Sequence, residues 1–245
     1  MAYAKHQPAI AVPRSDWALF LDLDGTLLDI AISPDAVLVP DSLAALLTRT
    51  RAWLKGALAI VSGRPLAQID RLMAPLVLPC AGEHGAILRL ADGTVESTDR
   101  LPMPSSWVTR LQAATKDWSG VFVERKDRGV AVHFRQCPSR ETDIRRLVES
   151  LVAENPDEFE VLPASKAFEI RNRGQTKGKA VERFMAQPPF AGRVPVFVGD
   201  DVTDQDGFRA AQAMGGIALD VPVAFGGRPS EVLRWLEAGV PTAEG

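Results

Sequence analysis

The sequence predicts an α/β protein: a parallel-sheet core built from two chain segments, with a smaller α+β unit inserted between them. Three observations carry this. Short, mostly apolar runs at residues 17–23, 58–61 and 194–198 have the length of strands covered on both faces. Helical patterns separate them, as in βαβ units. From about residue 101 to 171 the texture changes to paired, alternating strands, which is the pattern of antiparallel pairing.

Residues 1–14 read as a loose leader, and residues 17–23 as the first strand. A helix then starts at Pro40 and Asp41, with Asp41 as its N-cap, and runs to about residue 51. The second buried strand, residues 58–61, ends in Ser62, Gly63 and Arg64, and Pro65 suits the first position of the next helix. A third strand is predicted at residues 77–80, leading into GEHG at 82–85. Pro102 and Pro104 mark a linker, followed by a helix over 107–118. Residues 121–126 and 130–135 alternate around the turn at 127–129 and predict a hairpin. A helix over 139–154 stops at Asn155 and Pro156, and a strand pair follows at 159–162 and 167–171. The core pattern resumes with a helix at 176–185, a strand at 194–198, a helix from 204, a strand at 216–221 and a helix at 231–238. The expected division is a core of residues 1–103 and 172–245 around a cap of residues 104–171.

Composition narrows the class of function. Of 245 residues, 46% are apolar, enough to bury a large core. The net charge of −3 gives no basic excess for nucleic acid. No apolar run approaches the length of a membrane span or of a signal peptide core. Cys80 and Cys137 fit neither a zinc site nor a disulfide framework and read as reduced thiols. A cytoplasmic monomer with a small-molecule partner, and with neither nucleic acid nor membrane as partner, is expected.

The candidate chemistry lies in acidic pairs. Asp22 and Asp24 sit two residues apart at the end of an apolar strand and so point the same way. Two carboxylates about 4 Å apart repel by roughly 4 kcal/mol at an effective dielectric near 20. A cation, or a proton on one of them, relieves this; a plain turn at Asp24 and Gly25 is the simpler reading. Asp200, Asp201, Asp204 and Asp206 form a second cluster. Helix capping accounts for one or two of these, but not for Asp200, which follows a strand directly. Strand ends in open α/β sheets line the ligand crevice, which would join Asp22 to Asp200. All-oxygen ligands of this kind suit Mg²⁺. Lys177 opens a helix, where a cation opposes the dipole; either an anion is its partner or it is a solvated surface lysine. The hydroxyl of Ser62 and the amides around Gly63 and Arg64, ahead of a helix N-terminus, can hold phosphate oxygens.

Taken in order, DxDGT at 22–26, SGR at 62–64, Lys177 at a helix start and GDDxxD at 199–204 resemble the haloacid-dehalogenase-like phosphatases over the whole core. The resemblance implies a Rossmann-like hydrolase core. It also implies Asp22 as the nucleophile that takes the phosphoryl group, and Asp24 as the acid and then the base. Gly25 and Thr26 would turn the chain so that backbone amides meet the phosphate, and Ser62, Gly63, Arg64 and Lys177 would hold it. Mg²⁺ would bind the Asp22 carboxylate, the Asp24 carbonyl and Asp200, with Asp201 and Asp204 orienting its waters.

Further stretches resemble one family, the trehalose-6-phosphate phosphatases. These are AGEHG at 81–85, VERK at 123–126, VHFR at 132–135, FEIR at 168–171 and GDDVTDQDGF at 199–208. This resemblance implies that Glu124, Lys126 and Glu169 grip sugar hydroxyls, and that Glu83 and His84 lie beside the substrate. Gln205 stands where an acidic residue is expected, and His133 reads as structural. Trehalose 6-phosphate is the implied substrate, and a phosphatase for another sugar phosphate, such as sucrose 6-phosphate, is the alternative. A silent sugar-phosphate binder would lose Asp22 or Asp24, and a phospho-accepting module would need no cap. The cap is expected to close over the sugar about hinges at 101–104 and 172–174.

Overall fold

The computed structural model describes residues 10–31, 36–97, 101–164 and 166–241. The first segment contains β1 (Trp17–Leu21), α1 (Leu43–Trp53), β2 (Leu58–Val61), α2 (Leu66–Met73), β3 (Cys80–Gly82), β4 (Ile87–Arg89) and β5 (Val95–Ser97). The middle segment contains α3 (Ser105–Thr115), β6 (Phe122–Arg125), β7 (Val130–His133), α4 (Glu141–Val152), β8 (Phe159–Ala164) and β9 (Ala167–Asn172). The last contains α5 (Lys177–Met185), β10 (Val194–Gly199), α6 (Gln205–Ala213), β11 (Ile217–Asp220), α7 (Val221–Ala224) and α8 (Pro229–Gly239).

The first and last segments share one sheet, ordered β11-β10-β1-β2-β3-β4-β5. Its first five strands are parallel, and β4 and β5 close one edge as antiparallel strands. β1 and β2 are buried along their whole length, which is what their unbroken apolar sequences require. Below the sheet, the Phe20 ring stacks on Phe190 at 5.5 Å and leans on Phe184 at 6.0 Å. The chain steps outward from β1 through β2 to β3, and later from β10 to β11 on the other side. The switch point therefore lies between β1 and β10, where open α/β sheets form their crevice.

The middle segment forms a separate antiparallel sheet, ordered β6-β7-β9-β8. Period-2 alternation puts Val130, Val132, Phe168 and Ile170 on one face, in a core of their own. α4 covers them with Ile144, Val148, Leu151 and Val152, one stripe of the helix, and α3 adds Trp107 and Leu111. The opposite face, with Ala131, His133, Ala167 and Glu169, lines a cavity against the larger sheet. At the crossing between the sheets, the fully buried Asn172 donates from Nδ2 to the Leu101 carbonyl at 3.1 Å.

Local details depart from the sequence expectations. The third strand starts at Cys80 rather than residue 77, because Pro79 has no N–H for a ladder and offers only its carbonyl, to Ile60 N. α1 begins at Leu43, with Asp41 in the preceding turn. The first nine residues of the expected leader lie outside the described residues. From Ile10 onward the leader is seated rather than loose: Ile10 packs on the core, and Ala11 accepts a bond from Trp235 Nε1 at 2.9 Å. Both cysteines are free, and burial pushes the Cys80 thiol up to about 12. No described helix is long and apolar enough to cross a membrane.

Phe20 fills the space between two other aromatic rings with no exposure to water. Phe20→Ala is expected to lower the unfolding free energy by about 3–5 kcal/mol, measured by urea denaturation.

Candidate active site

The parallel strands deliver their C-terminal residues to one point. Asp22 follows β1, Ser62 follows β2 and Asp200 follows β10, and all three line a cavity of about 510 Å³. Lys177, the first residue of α5, projects into the same place and is almost wholly buried. Its Nζ donates to Asp22 Oδ1 and to Asp204 Oδ1, each at 2.6 Å. Burial works against a charged lysine, but Asp204 and Asp22 outweigh it and hold the ammonium well above its ordinary range. The helix-start cation thus has two internal anionic partners. The Thr176 side chain caps the same helix, accepting from Lys179 N at 3.2 Å.

Burial and the neighbouring charges of Asp204 and Asp200 push the Asp22 carboxyl well above its ordinary value, against the pull of Lys177. Burial, Asp204 and Asp201 likewise push Asp200 up to about 7. Asp22, Asp200 and Asp204 each bring an oxygen within 4.8 Å of the others. Asp200 Oδ1 is buried with no hydrogen-bond partner. A hard divalent cation fits these donors, since it would engage the orphaned oxygen and relieve the repulsion. Asp204, expected to orient metal-bound water, has both oxygens engaged: Oδ1 by Lys177, and Oδ2 by the amides of Asp200 and Asp201 at 2.9 Å each. It holds the loop and the lysine in place. Asp201 lines the cavity and accepts from Val202 N at 2.6 Å.

The loop after β1 is very tight. Gly25 has φ +84°, and a Cβ there would lie 2.1 Å from Asp200 Oδ2. Thr26 is fully buried beside it, its hydroxyl without a partner, and neither Gly25 nor Thr26 lines the cavity. Asp24 does line it, and both its oxygens accept from Arg64, from Nε at 2.6 Å and from Nη2 at 2.7 Å. Ser62 Oγ accepts from Arg64 N at 3.2 Å. The following loop is zipped onto this one: Glu83 N donates to the Arg64 carbonyl and His84 N to the Ser62 carbonyl, both at 3.0 Å. Glu83 and His84 take positive φ, 47° and 58°, to do so.

The second sheet supplies the other wall. Register aligns Glu124 with Ala131 and Ala131 with Glu169, so the two carboxylates share a row about 10 Å apart with a small residue between. Lys126, two residues beyond Glu124, donates to Glu169 Oε2 at 2.6 Å and to the Gly63 carbonyl at 2.8 Å. His84 Nε2 lies 3.3 Å from the same Glu169 oxygen. Burial opposes the Glu169 charge, but Lys126 and His84 override it and hold this carboxyl far below its usual range. Burial also keeps His84 below its ordinary value.

Glu83 is a correction. It was expected beside the substrate, yet it does not line the cavity. Its two carboxylate oxygens accept from Asp127 N and Arg128 N at 2.8 Å each, in the turn between β6 and β7. The left-handed conformation turns the side chain toward that hairpin. Two further residues face the cavity: His133, which reads as structural in the sequence, and Gln68, which sequence reasoning passed over. His133 Nε2 lies 2.8 Å from Glu124 Oε2; as a diagonal cross-strand neighbour it could have been found from the hairpin register. Gln68, in the first turn of α2, accepts from Arg64 on one side and donates to Glu124 on the other.

The parallel α/β core has the fold of the haloacid-dehalogenase-like hydrolases. A solved haloacid dehalogenase-like hydrolase from B. subtilis shares the fold, with a TM-score of 0.61 at 13% identity over 91% of this chain and 99% of its own. The C-terminal domain of C. albicans trehalose-6-phosphate phosphatase superposes with a TM-score of 0.76 at 19% identity, covering 94% and 92% of the two chains. The family described as Trehalose-phosphatase matches residues 20–231. A probable trehalose-phosphate phosphatase of Sinorhizobium fredii (strain NBRC 101917 / NGR234) is 42% identical, covering 95% of this chain and 90% of the relative. The trehalose-6-phosphate phosphatase of Escherichia coli (strain K12) is 35% identical, covering 96% and 87%. The chain belongs to the trehalose-phosphatase family and is a phosphoric monoester hydrolase.

Glu169 gives the site a pH signature. Its folded-state value lies below the unfolded one, so its contribution to stability is complete above about pH 4.3 and is lost as the pH falls further. Glu169→Gln leaves Lys126 without its buried partner and is expected to destabilise by about 3–5 kcal/mol at pH 7. In urea titrations the gap to the wild type should begin to narrow below about pH 4.3; a gap constant down to lower pH would contradict this assignment.

Proposed function

We propose that this chain hydrolyses trehalose 6-phosphate to trehalose and inorganic phosphate through an aspartyl-phosphate on Asp22. The observation that supports it above others is one cavity with two chemistries. The Asp22, Asp200 and Lys177 cluster forms one wall, and Glu124, Lys126 and Glu169 form the other. The cavity volume of about 510 Å³ is in the range of small-molecule sites. The names of the relatives support the sugar.

On this reading the Asp22 carboxylate attacks phosphorus. The bond from phosphorus to Asp22 forms as the bond to the sugar oxygen breaks, and the departing alkoxide takes a proton from Asp24. Water then gives a proton to Asp24 and attacks phosphorus. The bond to Asp22 breaks, which restores its carboxylate and releases phosphate. Lys177, Ser62, Arg64 and the amide of Gly63 hold the phosphoryl oxygens, while the Gly25 amide, expected there, is taken by the Leu28 carbonyl at 2.7 Å. Mg²⁺, held by the Asp22 carboxylate, the Asp24 carbonyl and Asp200 with Asp201 beside it, would supply charge neutralisation at those oxygens. Glu124 and Glu169 accept from sugar hydroxyls and Lys126 donates to their oxygens.

Residues 104–171 are read as a cap that closes over the sugar, about hinges at 101–104 and 172–174. Scattering curves that superimpose with and without a substrate mimic plus Mg²⁺ would rule closure out. The enzyme is further read as a cytoplasmic monomer, supported by a site complete within one chain; a sedimentation mass above that of one chain would contradict this.

Phosphate release from a panel of sugar phosphates with Mg²⁺ is the decisive experiment. Trehalose 6-phosphate should be preferred over sucrose 6-phosphate and glucose 6-phosphate, and chelation with EDTA should abolish turnover until Mg²⁺ is restored. Asp22→Asn should lose at least about 10³-fold in kcat. Retained activity in that variant would sink the covalent route, and a preference for another sugar would reassign the substrate.

A further inference from the structure

A continuous chain of side chains links the two walls of the cavity. Asp24 is gripped by Arg64 through Nε and Nη2. Arg64 Nη1 donates to Gln68 Oε1 at 3.1 Å. Gln68 Nε2 donates to Glu124 Oε1 at 3.0 Å. The other Glu124 oxygen meets His133 at 2.8 Å. The first three residues belong to the larger sheet with its helices, and the last two to the smaller sheet. Gln68 is where the chain crosses between them.

We propose that Gln68 is a positioning residue that couples sugar engagement at Glu124 to the placement of Arg64 against Asp24. The proposal rests on the trehalose 6-phosphate reading of this site and deepens it. Its chemistry explains why an amide stands here. A carboxamide offers an acceptor and a donor at one end, so one side chain can satisfy a guanidinium and a carboxylate together. Glutamate at this position would set one carboxylate against another. Leucine would leave both partners without the bond, and asparagine is one methylene too short to span them.

The geometry also says what is coupled. With Arg64 bound to both of its oxygens, the Asp24 carboxylate is fixed in one orientation. Asp24 can turn toward a bound phosphate ester only if Arg64 releases an oxygen, and Arg64 cannot shift without changing its bond to Gln68. Burial works against the Arg64 charge, yet Asp24 raises its proton affinity. Burial likewise works against the Glu124 charge, and His133, Lys126 and Gln68 outweigh it. Both ends of the relay are therefore charged, and a neutral amide joins them. Sugar hydroxyls that compete for Glu124 would loosen Gln68, and through it Arg64. Such coupling acts equally in both directions.

The test compares substrates with and without the sugar. Steady-state kinetics are measured for the wild type, Gln68→Leu, Glu124→Leu and the double variant, with trehalose 6-phosphate and with p-nitrophenyl phosphate. Gln68→Leu should lower the ratio of kcat/KM values, trehalose 6-phosphate over p-nitrophenyl phosphate, by about tenfold, the effect of losing a hydrogen bond to a charged group. In the Glu124→Leu background the same change should move the ratio by less than about twofold, because the pathway is already broken. An unchanged ratio in Gln68→Leu, or losses that multiply in the double variant, would overturn the proposal. Gln68→Asn, which keeps the amide but not the reach, should behave like Gln68→Leu; wild-type ratios in Gln68→Asn would also overturn it. A wild type that does not prefer trehalose 6-phosphate would instead refute the substrate reading, a result visible before any variant is compared.

Discussion

The site depends on one buried cation. Lys177 is the first residue of α5, yet its ammonium lies between a carboxylate at the end of β1 and another in the loop after β10. A lone ammonium in that position would be strongly disfavoured, and so would the carboxylates without it. The three groups are therefore mutually required. Their pairing ties together segments from opposite ends of the chain and fixes α5 against the strand ends. Asp204 extends the effect, since its second oxygen gathers two backbone amides and sets the course of the loop that carries Asp200. The carboxylates crowd one another because that single positive charge is shared among them.

The second constraint is the seating of the smaller sheet. Its hairpin turn is held through backbone amides by Glu83, its lysine reaches the Gly63 carbonyl, and its Glu169 meets His84. None of these bonds lies within either hydrophobic core. The two cores account for the stability of the two sheets, and the polar contacts set the gap between them. That gap is the cavity, so these hydrogen bonds fix how its two walls stand to each other.

Which parts of this were legible in the sequence follows from the range of the interactions. β1, β2 and β10 could be read directly, because burial on both faces demands unbroken apolar runs. Asp22, Asp200, Ser62 and Lys177 followed, since strand ends and helix starts are local features. β4 and β5 were not legible: each has only three residues, and their pairing depends on the β3 edge that receives them. The true partner of Glu83 was hidden for another reason. Its direction comes from a left-handed backbone at residues 83 and 84, adopted to bond the loop after β2. Gln68 was passed over because its meaning lies in a residue of the other sheet, far along the chain, and no local pattern announces such a contact.

The position of β1 has a consequence for how the molecule is made. This wholly apolar strand pairs on one side with β2, which is synthesised soon after it, and on the other with β10, which comes after the entire smaller sheet. Until residue 194 has left the ribosome, one edge of the central strand has no partner. Such an edge is a ready template for other chains. A nascent or truncated protein ending before β10 would also lack Asp200 and Asp204, leaving Lys177 with Asp22 alone. An interrupted product is thus exposed to association, and only the finished chain brings the three strand ends and the buried lysine together.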